Sequence, residues 1–287
     1  MKIVSYNVQY GIGMDGCFDP QRIAASLAGA DIVALQEVTR GFHKNGHADL
    51  VAAFADLFPE HFHVYAAPCD LLIDIMVENG QRTERRFQFG NMILSRWPIL
   101  ATRHFLLPRS RTVDQLNLQR GAIEVVIAAP EGQLRIYSTH LDHVSPDERI
   151  AQIAYLKARV LNYMSEGGAL TGAAEEGFPD LPLAEDFLLM GDFNMEPESP
   201  EYVEMTGHRD RYYGRVSRAN QVVDALDRLD KLPPDSYSWA KPPGDGPVKM
   251  HLDYCFVSSG LVPRLRDAWI DHQAQGSDHF PVWVELA

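Results

Sequence analysis

Eight polar residues stand where apolar runs end. Asn7 closes VSYN, Glu37 follows DIVALQ, His140 ends LRIYSTH, Asp192 and Asn194 follow LLMG, Asp253 interrupts HLDYCFV, and Asp278 and His279 precede FPVWV. Acids and amides beside an apolar interior are unfavourable unless they find partners. Six separate segments deliver this set, and gathered at one sheet edge they would be one another's partners. Several carboxylates with carboxamides make a hard, oxygen-rich site, which suits Mg2+, with Mn2+ as a substitute, better than zinc. A histidine titrating near neutrality takes a proton from water, and an acid beside it holds the useful tautomer. Together these are the parts of metal-assisted phosphate ester hydrolysis. Singly, each has a plainer role. Asn7 and Asn194 suit turns, Glu37 and Asp192 suit strand ends or caps, and His140 and Asp253 suit satisfied buried positions.

The elements that would carry them follow from hydrophobic period and punctuation. Strands are expected at 2–8, 31–38, 61–67, 70–77 and 187–190, and in FGNMILS, HLDYCFVS, LRDAWI and FPVWVEL. GAIEVVIAA and GQLRIYSTHL read as two strands joined by a tight turn at 130–132. Helices are expected at 19–30, 50–58 and 147–164, with shorter ones at 201–207 and 222–229. Asp19 and Pro20 make a helix start. Residues 78–88 read as a loop or hairpin tip, 166–185 as a long surface loop, and 231–249 as turn-rich. Strand-rich halves with interspersed helices suit stacked sheets with helices outside.

Composition narrows the function. The 287 residues carry a formal net charge of −13, which disfavours a grip on long nucleic acid through its backbone. Residues 81–120 run against that average, with eight arginines against Glu84 and Asp114. They form either a solvated basic face or a rim that attracts phosphate. Arg120, just before a strand, is a candidate for bidentate phosphate binding or for a surface position. Tyr237 and Trp239 either stack on a base or wall, or pack within their loop. Cys17, Cys69 and Cys255 have no metal or disulfide spacing. No apolar run reaches the length of a transmembrane helix, and no leader-like segment precedes the first strand. A soluble, cytoplasmic protein is expected, its 1–287 forming a single domain. Neither GxGxxG nor GxxxxGK[ST] occurs, so a dinucleotide or P-loop enzyme lacks its mark.

The segments SYNVQYG, DIVALQEV, FGNMILSRWPI, IYSTHLD, LLMGDFNMEP, LDYCFVS and GSDHFPVWVEL resemble, in order and over nearly the whole chain, the endonuclease/exonuclease/phosphatase superfamily. QE, GDFN and the terminal SDH are specific in combination. The resemblance implies a four-layer α/β sandwich, with two central, mainly antiparallel sheets between helices. It implies a divalent-metal site that includes Asn7, Glu37 and Asp278, with Glu37 the principal ligand. Asp192 would position metal or water, and Asn194 would bond phosphate or the attacking water. His279 would activate water, oriented by Asp253, and His140 would contact the phosphoryl group. The abasic-site repair branch carries a tyrosine and a PNxG-like segment where this chain has STHLD. The histidine form is similar to pancreatic-type deoxyribonucleases, sphingomyelinases, inositol phosphatases and deadenylases.

The reading that leads is a metal-dependent phosphodiesterase acting on a small or lipid-derived phosphate ester. A DNA or RNA nuclease and a phosphomonoesterase are the alternatives, and a non-enzymatic binding module stands behind both. Segments 70–90, 103–119 and 208–245 are expected to govern access to the phosphorus.

Overall fold

The computed structural model describes residues 1–172, 175–181, 183–241 and 248–287. Residues 173, 174 and 182 of the expected surface loop, and 242–247 of the turn-rich segment, lie outside the described residues. The strands are β1 (Lys2–Asn7), β2 (Ile32–Arg40), β3 (Phe62–Glu78), β4 (Gln81–Ser95), β5 (Ile99–Leu106), β6 (Gly121–Ala129), β7 (Gly132–His140), β8 (Phe187–Asp192), β9 (Val223–Asp224), β10 (Trp239–Ala240), β11 (Lys249–Met250), β12 (Asp253–Val257), β13 (Leu265–Ile270) and β14 (Val282–Leu286). The helices are α1 (Pro20–Ser26), α2 (Leu50–Leu57), α3 (Pro146–Leu161), α4 (Tyr163–Glu166), α5 (Pro200–Thr206) and α6 (Ala225–Arg228).

Two six-stranded sheets form, in the orders β13-β14-β1-β2-β4-β3 and β5-β6-β7-β8-β12-β9. Most pairings are antiparallel; β1–β2 and β7–β8 are parallel. Both faces of the central strands are apolar, so alternation sorts side chains between two cores. Ile3, Ile32, Ala34 and Ile93 of the first sheet meet Ile123, Ile136, Leu188 and Cys255 of the second between the sheets. The opposite face of the first sheet, with Val4, Val33 and Leu35, packs on Ile23, Leu27, Leu50 and Phe54 around α1 and α2. The opposite face of the second, with Tyr137, Phe187 and Leu189, packs on Ile153, Leu156 and Tyr202 of α3 and α5. The result is the expected α/β/β/α sandwich.

Local signals explain the helix starts. Asp19, Asp49, Ser145 and Ser199 each accept a backbone N–H in the first turn, and Pro20, Pro146 and Pro200 follow three of them. Several boundaries differ from the sequence reading. The first helix stops at Ser26, the helix over 147–164 breaks at Asn162, and 222–229 opens as a short strand paired to β12 before α6. The strand β5 went unread because its burial alternates along a half-exposed edge, diluting the apolar signal.

The largest difference lies at 70–88. The expected strand at 70–77 is the outer part of β3, and 78–88 is a hairpin tip only at Asn79–Gly80: from Gln81 the chain is strand, so β3 and β4 run on past the sheet as one hairpin. Its pairing with β2 ends at Gln88, so the outer part is a two-stranded ribbon. Polar β4 residues such as Arg82, Thr83 and Arg85 pair across to Val77, Met76 and Asp74, and backbone pairing overrides their loop-like composition. Leu71, Ile73, Ile75 and Val77 are exposed on it, Val77 at 64%.

The layering separates two kinds of leucine-like position. Leu188→Ala, between the sheets, is expected to lower unfolding stability by about 2–5 kcal/mol, whereas Ile75→Ala on the ribbon changes it by no more than about 0.5 kcal/mol. Urea melts of both variants check this; equal losses would contradict the assignment of the core.

Candidate active site

Strand register gathers the residues. Across three neighbouring strands of the second sheet, His140 on β7 lies opposite Asp192 on β8, and Asp192 lies opposite Asp253 on β12. Gly191 makes this approach possible: a Cβ there would stand 1.9 Å from the Thr139 carbonyl oxygen. The first sheet brings Asn7 at the end of β1 and Glu37 on β2. Glu37 sits within a register shift between Leu35 and Val38, with φ +58°. That bulge re-aims one side chain out of an otherwise continuous apolar strand. Asp278 and His279 come from the segment before β14, where His279 bridges to Trp239.

The bonds make one connected cluster. Asn7 Nδ2 donates to Asp192 Oδ2 at 2.9 Å, joining the two sheets, and the Asn194 backbone N–H donates to Asp192 Oδ1 at 3.0 Å. His279 Nδ1 lies 2.8 Å from Asp253 Oδ2, and its Nε2 is turned toward Asp192 Oδ2 at 3.7 Å and Asp278 Oδ1 at 4.0 Å. His140 Nε2 lies 3.3 Å from the same Asp192 oxygen. Asn7, His140, Asp192, Asp253, Asp278 and His279 are all buried, and Glu37 is partly so.

The second nitrogen of His140 is informative. Arg120 Nη1, which can only donate, lies 3.1 Å from His140 Nε2, the nitrogen that also faces Asp192 Oδ2, and this leaves Nδ1 as the ring's other nitrogen. That Nδ1 is buried without a partner, 3.9 Å from Glu37 Oε1. Burial and Arg120 both hold the imidazole neutral, its pKa well below the usual value. Arg120 itself is buried, with Nη2 at 2.9 Å from His143 Nδ1.

Negative charge is crowded here. Burial and the Asp278 charge push the Glu37 carboxyl up to about 7. Burial likewise raises Asp192, with Asp253 adding to it. Burial opposes a charge on His279, but Asp253 and Asp192 outweigh it and lift the imidazole to about 10. Ligand-capable atoms of Asp192, Asp253 and His279 lie within 4.8 Å of one another. This oxygen-rich set, whose acids cannot comfortably all ionise alone, fits a divalent cation. Backbone strain gathers at the same edge: Gln9, Tyr10, Glu37 and Asn194 all have φ between +41° and +58°.

A family model described as Endonuclease/Exonuclease/phosphatase family matches residues 4–279. The chain belongs to the endonuclease/exonuclease/phosphatase family. Family membership and the buried Asp192–Asp253–His279 cluster make it a metal-dependent phosphoesterase. Solved members share the fold at low identity. A family protein from Beutenbergia cavernae matches at 16% identity and a TM-score of 0.67, covering 100% of this chain and 72% of its own. A mannosyl-6-phosphatase from Bacteroides thetaiotaomicron matches at 16% and 0.62, covering 100% and 99%. D. rerio TDP2 complexed with a single-strand DNA product matches at 15% and 0.63, covering 100% and 98%. No curated protein sequence matches significantly.

Other sequence candidates sort differently on the family scaffold. The basic segment is not one rim: Arg86 pairs with Asp70 and Glu84, Arg96 with Asp31 and Glu60, and Arg103 with buried Glu124. Of these only Arg120 reaches the cluster, and it is no surface residue. Trp239 donates its indole N–H to Asp278 Oδ2 at 3.0 Å, and Tyr237 stacks on His272 at 4.2 Å between centroids. Sequence reading missed Ser238, whose hydroxyl donates to Asp253 Oδ2 at 2.7 Å and accepts the Leu252 and Asp253 N–H groups. It also missed Tyr10, whose ionisation the Glu37 charge opposes, and His143. None carries a motif; only folding brings them in. Among the described residues, no helix is long and apolar enough to cross a membrane.

The crowding has a pH signature. A histidine whose folded pKa is raised above its unfolded value stabilises the fold at low pH, and that contribution is lost as pH rises from about 6.5 toward 10. Below 6.5 the depressed histidines His140 and His251 act in the opposite sense, and above about 8.5 the buried thiols Cys69 and Cys255 add to the loss. In chelator, stability is therefore expected to fall between pH 7 and 8.5 by up to about 1.4 kcal/mol per pH unit. His279→Gln flattens that slope, and excess Mg2+ reduces it. Denaturant melts across that range check this; a slope unchanged by the substitution would contradict it.

Proposed function

We propose that this protein is a magnesium-class phosphoesterase acting on small or terminal phosphate esters, with residues 1–287 as one catalytic domain. The observation that carries the mechanism is the His279 imidazole, with one nitrogen on Asp253 and the other turned into the carboxylate cluster. Glu37 would hold the cation, with Asn7, Asp278 and Asp192 beside it. The His279 Nδ1–Asp253 contact already commits one atom from each of those two residues, which favours the Glu37 side over the Asp192–Asp253–His279 group. When bound there, the cation supplies Lewis-acid polarisation of a phosphoryl oxygen.

The chain's own groups do the rest. With a cation offsetting the carboxylate charge that otherwise keeps the ring protonated, His279 Nε2 would take a proton from water as the water oxygen attacks phosphorus, and Nδ1–H stays on Asp253, which steadies the imidazolium. Ser238 fixes the Asp253 carboxylate. The bond from phosphorus to the leaving oxygen breaks on the opposite side. His140 contacts the phosphoryl group, and Asn194 orients water or phosphate. Arg120 acts on that group through His140, or bonds phosphate directly.

The substrate reading differs from the sequence expectation. A mannosyl-6-phosphatase and a TDP2 with a DNA product stand among the solved structures of this fold, so phosphomonoesters and nucleic-acid ends gain weight over a lipid-derived diester. Net charge −13 and the paired arginines favour a short substrate over a long polyanion. Three free cysteines, Cys17 exposed, suit a reducing compartment, and a cytoplasmic location belongs to this proposal.

Hydrolysis of bis-p-nitrophenyl phosphate and p-nitrophenyl phosphate with Mg2+, Mn2+ or EDTA tests the reading. Activity is expected with either metal and absent in EDTA. His279→Ala is expected to lower kcat about a hundredfold or more with little change in KM, and Glu37→Gln to raise the Mg2+ concentration needed. Release mainly from the monoester assigns a phosphomonoesterase. Unchanged kcat in His279→Ala would remove His279 as the base.

A further inference from the structure

One flank of the cluster is a row of aromatic rings, buried at Phe89 and opening outward from it. The Phe89 ring lies 5.8 Å from the His140 ring, centroid to centroid, and carries the Arg120 guanidinium 5.4 Å from its own centroid. Tyr10, near enough to Glu37 for that charge to raise its phenol pKa, lies 6.2 Å from Phe89 and 4.6 Å from Phe42. Phe42 lies 5.3 Å from Phe87. Phe87 and Phe89 are two apart on β4 and so share a face, and Leu71 pairs across from Phe87 on that face. The rings thus lead outward from Glu37 and His140, through Phe89 and Phe87, to Leu71 on the ribbon.

Two features set this surface apart from ordinary core. Tyr10, Phe42 and Phe87 are only half-buried, and Leu71 is 48% exposed, although rings in such contact are normally covered. Tyr10 also holds φ +58°, a strained setting for a bulky side chain, and this keeps its ring between Glu37 and Phe42.

We infer that this wall is a specificity subsite: the substrate's phosphate ester carries an apolar substituent that lies on Tyr10, Phe42 and Phe87. The inference rests on the phosphoesterase reading of the adjacent cluster. His140 and His279 both reach Asp192 Oδ2, at 3.3 and 3.7 Å, and the wall adjoins His140. In a phosphomonoester the single ester substituent is the leaving alcohol. The apolar substituent is therefore the leaving alcohol. Its chemistry, an aromatic ring or an alkyl chain, covers both an aryl or nucleoside ester and a lipid-derived one.

Alkylphosphonates and arylphosphonates test this without turnover, because their C–P bond is not hydrolysed. Methyl-, hexyl- and phenylphosphonate are titrated calorimetrically into the full chain with saturating Mg2+. Hexyl- or phenylphosphonate is expected to bind about tenfold or more tighter than methylphosphonate. That preference shrinks to about twofold or less in Phe42→Ser/Phe87→Ser, and partially in Phe42→Leu. The milder variant keeps the test alive if the double one does not fold. Phenyl above hexyl supports an aromatic leaving group, and hexyl above phenyl an alkyl one. Equal binding of all three, or a preference untouched by both variants, overturns the subsite and leaves the phosphoesterase reading standing. Failure of every phosphonate to bind with Mg2+ present overturns the phosphoesterase reading and the subsite with it.

Discussion

The Asn7–Asp192 hydrogen bond is the contact on which the site depends. Asn7 ends the first strand of one sheet and Asp192 ends the central strand of the other, 185 positions away, and the bond is buried at 2.9 Å. Every other group of the cluster takes its place from Asp192. His140 and Asp253 are its neighbours in register, and His279 turns one nitrogen toward it. A buried carboxylate is tolerated only with donors around it, so the two sheets must meet in this register or leave a charge stranded. The large apolar interface between the sheets supplies the free energy that forces the acids together.

That force leaves the site under electrostatic tension. Glu37 is pushed up to about 7 and His279 to about 10, both departures with the same origin in crowded carboxylates. The left-handed backbone at Glu37, Tyr10 and Asn194 belongs to the same edge. A dication resolves the charge; a rearranged backbone would break the pairing of β1 with β2. The protein thus holds a geometry whose strain and charge make sense only with a ligand in place.

The sequence carried the chemistry of this edge in advance, because the eight polar residues follow apolar runs that have to be strands. The double apolar faces of β1, β2, β7 and β8 also required helices on both sides of a sheet pair. Arg120 was legible as a candidate but not in its position: a basic residue before a strand reads as surface, and only the fold buries it against His140. The second strand of the ribbon, 81–88, was not read as strand because it is polar, and cross-strand pairing, not side-chain period, holds it extended. Ser238, Tyr10 and His143 had no local signal at all.

Residue type and order alone determined the layered α/β class and the divalent-metal chemistry, since these follow from hydrophobic period and donor chemistry, while the pairing of Asp253 with His279 was implied by the family resemblance. Tertiary structure alone decided which groups surround His140, which arginines are spent in ion pairs, and where the aromatic wall meets the cluster. Those are distances between segments far apart in the chain, and local propensity holds no information on how closely two strands approach once their cores have packed.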